Sequence, residues 1–196
     1  TMGLDSRPVI ALLSGSRLQE VTRMLPVMAA EAPAYPDYQF VVAAMDHLPA
    51  QIYEDIAEKY PVKIVYGMTY DLLAVAEAAL VTSGTATLET ALFDVPQVVC
   101  YRTSPLTYRL AKLVMRVRFI SLVNLIMDRE VVRELIQGDL NPAKLHRELA
   151  DILVTGYRNE VVRKDYAELR GILGGGGASE RVAADIVKNI NRKGEA

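Results

Sequence analysis

Ala-Ala-Leu-Val-Thr-Ser-Gly-Thr-Ala-Thr-Leu-Glu, residues 78–89, is an apolar run that enters a turn of small residues and leaves it as a helix. Ala78 to Val81 has the character of a short buried strand, Thr82-Ser83-Gly84-Thr85 of a turn, and Ala86 to Leu92 of a helix. Such a junction gathers free backbone N–H groups and the positive end of a helix dipole at one point, which suits a phosphate. Gly84 lets an anion come close to the backbone, and Ser83, Thr85, Ala86 and Thr87 complete the cradle. Glu89 follows Thr85 by four residues and projects from the same helix face one turn further in. A carboxylate there can accept hydrogen bonds from the two hydroxyls of a ribose whose phosphates rest on the turn. The competing reading is an ordinary junction with a capping glutamate. A capping box needs a Ser or Thr three residues before the Glu, and that position is Ala86.

Working outward, Pro8 to Leu13 is a continuous apolar run of the kind that forms a parallel strand buried on both faces. Ser14-Gly15-Ser16-Arg17 follows it, and then a helix with apolar residues at Val21, Leu25 and Met28. Ser16 and Gln19 have capping-box spacing. Arg17 has no such structural reason: a cation in the first turn opposes the helix dipole unless an anion is held there. Further strands are expected at Tyr38–Ala43, Val62–Tyr66 and Val95–Tyr101, with a short sixth at Phe119–Leu122. Helices are expected over Pro49–Lys59 and from Thr69. From Asp128 onward the pattern reads as helical: Arg129–Gln137, Pro142–Thr155 and Tyr157–Ile172, then a hinge at Gly174–Gly177 and a last helix over Ser179–Ile190. Strands alternating with helices at this spacing make an α/β domain with a doubly wound, parallel, six-stranded Rossmann-like sheet and extra C-terminal helices. Residues 1–7 read as a linker, 8–173 as the domain, and 174–196 as hinge plus helix. Right-handed crossovers bring Ser14–Arg17, Gly67–Met68, Ser83–Thr85 and the turn after Tyr101 to one edge of the sheet, where such folds bind ligands. No Gly-x-Gly-x-x-Gly follows the first strand, so a dinucleotide is disfavoured.

Composition narrows the classes. The 196 residues are 51% hydrophobic with a net charge of −2, enough for a generous core and too acidic for a general nucleic-acid binder. The single cysteine, Cys100, lies in an apolar run and reads as a buried structural thiol. His47 and His146 share no motif, so a histidine metal site or histidine-based triad is not expected. No apolar run is long enough to span a bilayer and no signal-peptide pattern opens the chain, which points to the cytosol. Arg102, Arg109, Lys112, Arg116 and Arg118 form a basic stretch without acids, with Leu106, Leu110, Leu113 and Val117 on another face. It reads as a surface helix packed on the sheet, or as one that lies on an anionic membrane or cradles a charged substrate.

Four segments together, Leu-Leu-Ser-Gly-Ser-Arg-x-x-Glu (12–20), Ser-Gly-Thr-Ala-Thr-Leu-Glu (83–89), Pro-Gln-Val-Val-Cys-Tyr-Arg (96–102) and Ser-Leu-Val-Asn-Leu-Ile (121–126), resemble lipid-A-disaccharide synthase, a GT-B glycosyltransferase. The resemblance covers nearly the whole chain and is to the C-terminal, nucleotide-binding half of that family. It implies an inverting transferase that joins UDP-2,3-diacylglucosamine to 2,3-diacylglucosamine 1-phosphate, giving a β-1,6 lipid A disaccharide phosphate and UDP. On the matching positions, Glu89 would hold the ribose, Ser83, Gly84 and Thr85 the diphosphate, and Arg17 and Asn124 the leaving phosphate. Ser14, Gly15, Ser16 and Tyr101 would sit beside the nucleotide, Glu20 would orient Arg17, and uracil would pack near Tyr66, Gly67 and Met68. No metal or other cofactor is implied, no Asp-x-Asp motif is present, and the general base would come from the family's N-terminal half, leaving this half able to bind UDP without turnover. The resemblance further implies a cytoplasmic enzyme held peripherally on the inner membrane of a Gram-negative bacterium, with the basic segment 102–118 as the contact. It leaves room for a homodimer. Two other readings stay open: another GT-B enzyme of UDP-GlcNAc (a peptidoglycan-precursor glycosyltransferase or a 2-epimerase), and a non-catalytic nucleotide-binding module.

Overall fold

The computed structural model describes residues 2–104 and 118–174. Five of its strands fall within the expected segments or extend them by a residue or two: β1 (Val9–Leu13), β2 (Gln39–Ala44), β3 (Val62–Tyr66), β4 (Ala76–Thr82) and β5 (Gln97–Tyr101). Helices α1 (Leu18–Ala29), α2 (Gln51–Lys59), α3 (Thr69–Val75) and α4 (Thr85–Leu92) connect them. β1 and β2 are buried along their whole length, as strands covered on both faces must be.

The sixth strand is not where the sequence suggests it. Phe119–Leu122, expected as a strand, precedes and enters a short helix, α5 (Leu122–Met127), which the Ser121 hydroxyl caps by accepting from the Asn124 N–H at 3.3 Å. Asp128 ends that helix in the left-handed conformation at φ 49°. The strand is β6 (Arg133–Ile136), inside the segment expected as the helix Arg129–Gln137. Good helix formers there yield to an open sheet edge: Val98–Tyr101 of β5 pair in parallel with Arg133–Ile136. Helices α6 (Pro142–Ile152) and α7 (Asn159–Leu173) complete the described fold. The basic stretch between Arg102 and Arg118 falls for the most part, Arg109, Lys112 and Arg116 included, outside the described residues. So do Gly175–Gly177 and the expected last helix.

All six strands are parallel in the order β3-β2-β1-β4-β5-β6. One core joins the sheet to α1, α2 and α6 through Leu25, Tyr53, Leu149 and their neighbours. On the opposite face, Leu72 and Leu73 of α3 pack on Val41, Ala79 and Val81, while α4, α5 and α7 share a third cluster around Tyr166. Cys100 is fully buried, and burial pushes its thiol far above the usual range. Residues 2–7 are more than a linker: Met2 and Leu4 pack on the second cluster, and Arg7 donates to Asp5 and to the carbonyls of Pro36 and Tyr38.

Candidate functional site

The strand order reverses between β1 and β4, so the chain leaves those two strands in opposite directions and opens a crevice beyond their C-terminal ends. A pocket of about 700 Å³ lies there. Its walls are Gly15, Ser16, Arg17 and Glu20 after β1, Gly67 after β3, and Ser83, Gly84, Thr85, Ala86 and Glu89 after β4. Ten of the residues singled out in the sequence thus converge, from three separate connections.

The N-termini of α1 and α4, both on this pocket, differ in what satisfies them. At α1 the Glu20 carboxylate folds back: its Oε2 accepts from the N–H groups of Ser16 (3.3 Å) and Arg17 (3.4 Å), and its Oε1 pairs with the Arg17 guanidinium at 3.0 Å. The expected pairing of Ser16 with Gln19 is replaced by this one, with Arg17 as the residue before the helix. Gly15 makes the fold-back feasible, because at φ +105° a Cβ would stand 2.6 Å from Oε2 of Glu20. His47 supports the same loop from β2's end, its Nε2–H donating to the Ser16 carbonyl at 2.9 Å.

At α4 no side chain caps the first turn and no acid lies in it. The leading N–H groups of a helix have no partner within the helix, so they face the pocket with the positive end of the dipole. Gly84 holds φ 150° and ψ −163°, a conformation that residues with a side chain rarely adopt, and a Cβ there would meet nothing within 4 Å. Backbone conformation, not crowding, requires this glycine. Behind the turn, the hydroxyls of Ser14 and Thr82 are buried without a hydrogen-bond partner among the described residues. They end neighbouring strands, β1 and β4, and Thr82 itself lines the pocket.

Glu89 accepts a hydrogen bond from the Tyr70 hydroxyl at 3.3 Å, and the Tyr70 ring stacks on Phe93 with centroids 5.7 Å apart. Thr69, Tyr70 and Asp71 also line the pocket, a contribution that sequence reasoning missed because α3 carries no motif.

Several expected residues stand elsewhere. Tyr66 lies outside the pocket in edge contact with Tyr53, and Met68 packs against the core, leaving Gly67 alone of that trio on the wall. The Thr87 hydroxyl donates to the Gly84 carbonyl at 2.8 Å and accepts from the Leu122 N–H at 3.3 Å, a tie between α4 and α5. The Ser83 hydroxyl donates to the Ile120 carbonyl, so what Ser83 offers a ligand is backbone. Tyr101 lines a separate basin. Asn124 departs most from its expected role. It is fully buried, its amide donates to the Val132 carbonyl and to Glu134, and its oxygen accepts from the N–H groups of Val131 and Val132. All four hydrogen-bonding positions of that amide are taken, so it holds the chain between α5 and β6 rather than a leaving group.

Six parallel strands in this order, with their pocket at the point of reversal, define one Rossmann-like half of a GT-B fold. Solved structures share that architecture. The calicheamicin glycosyltransferase CalG4 gives a TM-score of 0.64 at 17% identity, covering 98% of this chain and 46% of the other. A putative UDP-N-acetylglucosamine 2-epimerase from Listeria monocytogenes gives 0.62 at 16%, covering 95% and 46%. The chain belongs to the lipid-A-disaccharide synthetase family, which matches residues 2–182. Its relatives include the lipid-A-disaccharide synthases of Syntrophus aciditrophicus, 41% identical over 190 residues, and Myxococcus xanthus, 36% identical over 191. Those alignments take in 93% and 92% of this chain, which spans about half the length of the curated relatives it matches.

Proposed function

We propose that this chain is the donor-binding half of an inverting hexosyltransferase that joins UDP-2,3-diacylglucosamine to 2,3-diacylglucosamine 1-phosphate. The products are a β-1,6 lipid A disaccharide phosphate and UDP. The observation that carries the reading is the uncapped N-terminus of α4, facing a pocket with Glu89 one turn further along the same helix. Family membership supports the choice of substrates.

The diphosphate rests on the N–H groups around Gly84, Thr85 and Ala86, and the ribose hydroxyls donate to Glu89 in place of Tyr70. The base then extends toward Gly67 and the start of α3. Arg17, steadied by Glu20, turns its exposed guanidinium to the phosphate that leaves. In the reaction the acceptor's 6-hydroxyl oxygen bonds to the anomeric carbon while the bond from that carbon to the UDP oxygen breaks. The electron pair goes to the diphosphate, where the helix dipole and Arg17 stabilise the growing charge without a metal. A base in the remainder of the protein takes the hydroxyl proton. The enzyme works at the cytoplasmic face of the inner membrane of a Gram-negative bacterium, and the basic segment 102–118 contacts the anionic lipid.

Calorimetry with UDP tests the site. Glu89→Ala is expected to weaken UDP binding by about tenfold or more, since it removes hydrogen bonds to a charged acceptor worth about 1.5–3 kcal/mol each. Equal affinities for variant and wild type would sink the ribose role.

A further inference from the structure

A second basin, of about 520 Å³, opens between the start of α1 and the C-terminal end of β5. It shares Arg17 and Glu20 with the pocket described above and adds Arg23 from α1 and Tyr101, Arg102 and Thr103 from the end of β5. Arg17, Glu20 and Arg23 are spaced by three along α1, which sets them on one side of the helix. Glu20 is the single acid on the wall, and its carboxylate is already engaged by Arg17 and two backbone N–H groups. The basin therefore carries a surplus of positive charge.

The arginines that supply the surplus are unusual in this chain. Among the described residues, Arg7, Arg129, Arg133, Arg147, Arg158, Arg163 and Arg170 all pair with carboxylates. Arg23, Arg102 and Arg118 do not, and two of those three face this basin. Arg102 is positioned rather than paired: its guanidinium donates to the Leu140 carbonyl at 2.5 Å, which fixes the head group and leaves its other N–H groups for a ligand. Guanidinium groups that share one wall and outnumber the acid on it match a phosphate, whose oxygens accept paired N–H donors.

We propose that this basin binds a phosphomonoester separate from the nucleotide diphosphate, namely the phosphate carried by the second sugar substrate. A phosphomonoester brings a charge of about −1.5 to −2 at neutral pH, which Arg23 and Arg102 offset with Arg17 between the two sites. Arg17 then faces one anion in each pocket. The assignment rests on the glycosyl-transfer reading only for the sugar that bears the phosphate.

The test is an NMR titration of the 196-residue chain with glucosamine 1-phosphate, with and without saturating UDP, following backbone and arginine side-chain signals. The expected result is binding that persists in the presence of UDP and shifts signals of Arg23 and Arg102. Arg23→Gln, at an exposed and unpaired side chain, is expected to weaken glucosamine 1-phosphate by about tenfold and leave UDP affinity within about twofold. Displacement of glucosamine 1-phosphate by UDP, or an Arg23→Gln variant that binds it as well as wild type, would overturn the proposal. Arg23-dependent binding to phosphatidylglycerol vesicles, without binding of glucosamine 1-phosphate, would also overturn it and assign the basin to a membrane surface. Loss of UDP binding alone, with Arg23-dependent glucosamine 1-phosphate binding intact, would fell the donor reading and leave this subsite standing.

Discussion

At Gly15 the backbone lies at φ +105° and the Glu20 side chain fills the space a Cβ would need. Gly15→Ala therefore strains the loop and displaces the carboxylate that caps α1 and holds Arg17. The expected loss is about 1–3 kcal/mol of unfolding free energy, measured by urea denaturation. An alanine variant as stable as the wild type would mean that the Glu20 fold-back contributes nothing. Much at this scale is legible in the sequence. Gly84 and Glu89 stand out because dipole, glycine and a four-residue interval all concern neighbours along one helix. The contact between Arg17 and Glu20 follows in the same way from a three-residue interval. Asn124 was not legible, because its partners Val132 and Glu134 lie just before and within a strand that periodicity hides. The contacts of Tyr70 with Glu89 and of His47 with the Ser16 loop escaped notice for a related reason: each comes from a different connection.

Among the elements, the segment from Ser121 to Ile136 shows how tertiary context overrides local preference. Glu134 of β6 accepts from the N–H groups of Ile120 and Ser121, from the Ser121 hydroxyl, and from the Asn124 amide, all between 2.7 and 2.9 Å. One side chain thereby fixes the start of α5, and through the Ser83–Ile120 bond it braces the turn after β4. In sequence, Glu134 sits in a run rich in helix formers and reads as part of the helix expected over Arg129–Gln137. Only the β5 edge gives it another use. Glu134→Ala would leave four donors with no acceptor and is expected to cost about 2–4 kcal/mol in urea denaturation. UDP affinity should fall with it, because the Ser83 turn loses its brace. A loss below about 0.5 kcal/mol, the size of an ordinary surface change, would refute the bracing role.

Over the molecule as a whole, the alternation of strands and helices conveys a parallel sheet, but the crevice depends on strand order, and order is a matter of which elements pack together. Glu148 is a clear instance of such packing. It is nearly buried on α6 and takes Arg133 of β6 at 3.1 Å, Arg147 at 2.9 Å and Arg158, ahead of α7, at 3.6 Å. Desolvation works to raise its pKa, yet the bonds and charges of Arg147 and Arg133 leave it lowered from 4.5. A depressed carboxylate contributes stability that is present above its unfolded value and lost as pH falls through its folded one. Glu148→Gln is expected to cost about 3 kcal/mol at neutral pH by urea denaturation. Repeated at progressively lower pH below about 4.5, the gap between variant and wild type should narrow. A gap that stays constant across that window would show that packing, not charge, is what Glu148 supplies.

The hydroxyls of Ser14 and Thr82 close the two strands between which the sheet reverses, and both are buried with no partner among the described residues. Neither hydroxyl has a protein group among the described residues to replace the hydrogen bonds it makes to water in the unfolded chain, and an apolar side chain of the same shape would need none. The strands are thus least comfortable beside the crevice where the nucleotide is proposed to bind. A drift of this chain toward greater thermal endurance would begin at these two positions, and at Thr82 it would change the pocket wall as it went. Endurance and the proposed nucleotide affinity pull against each other at the rim of β1 and β4.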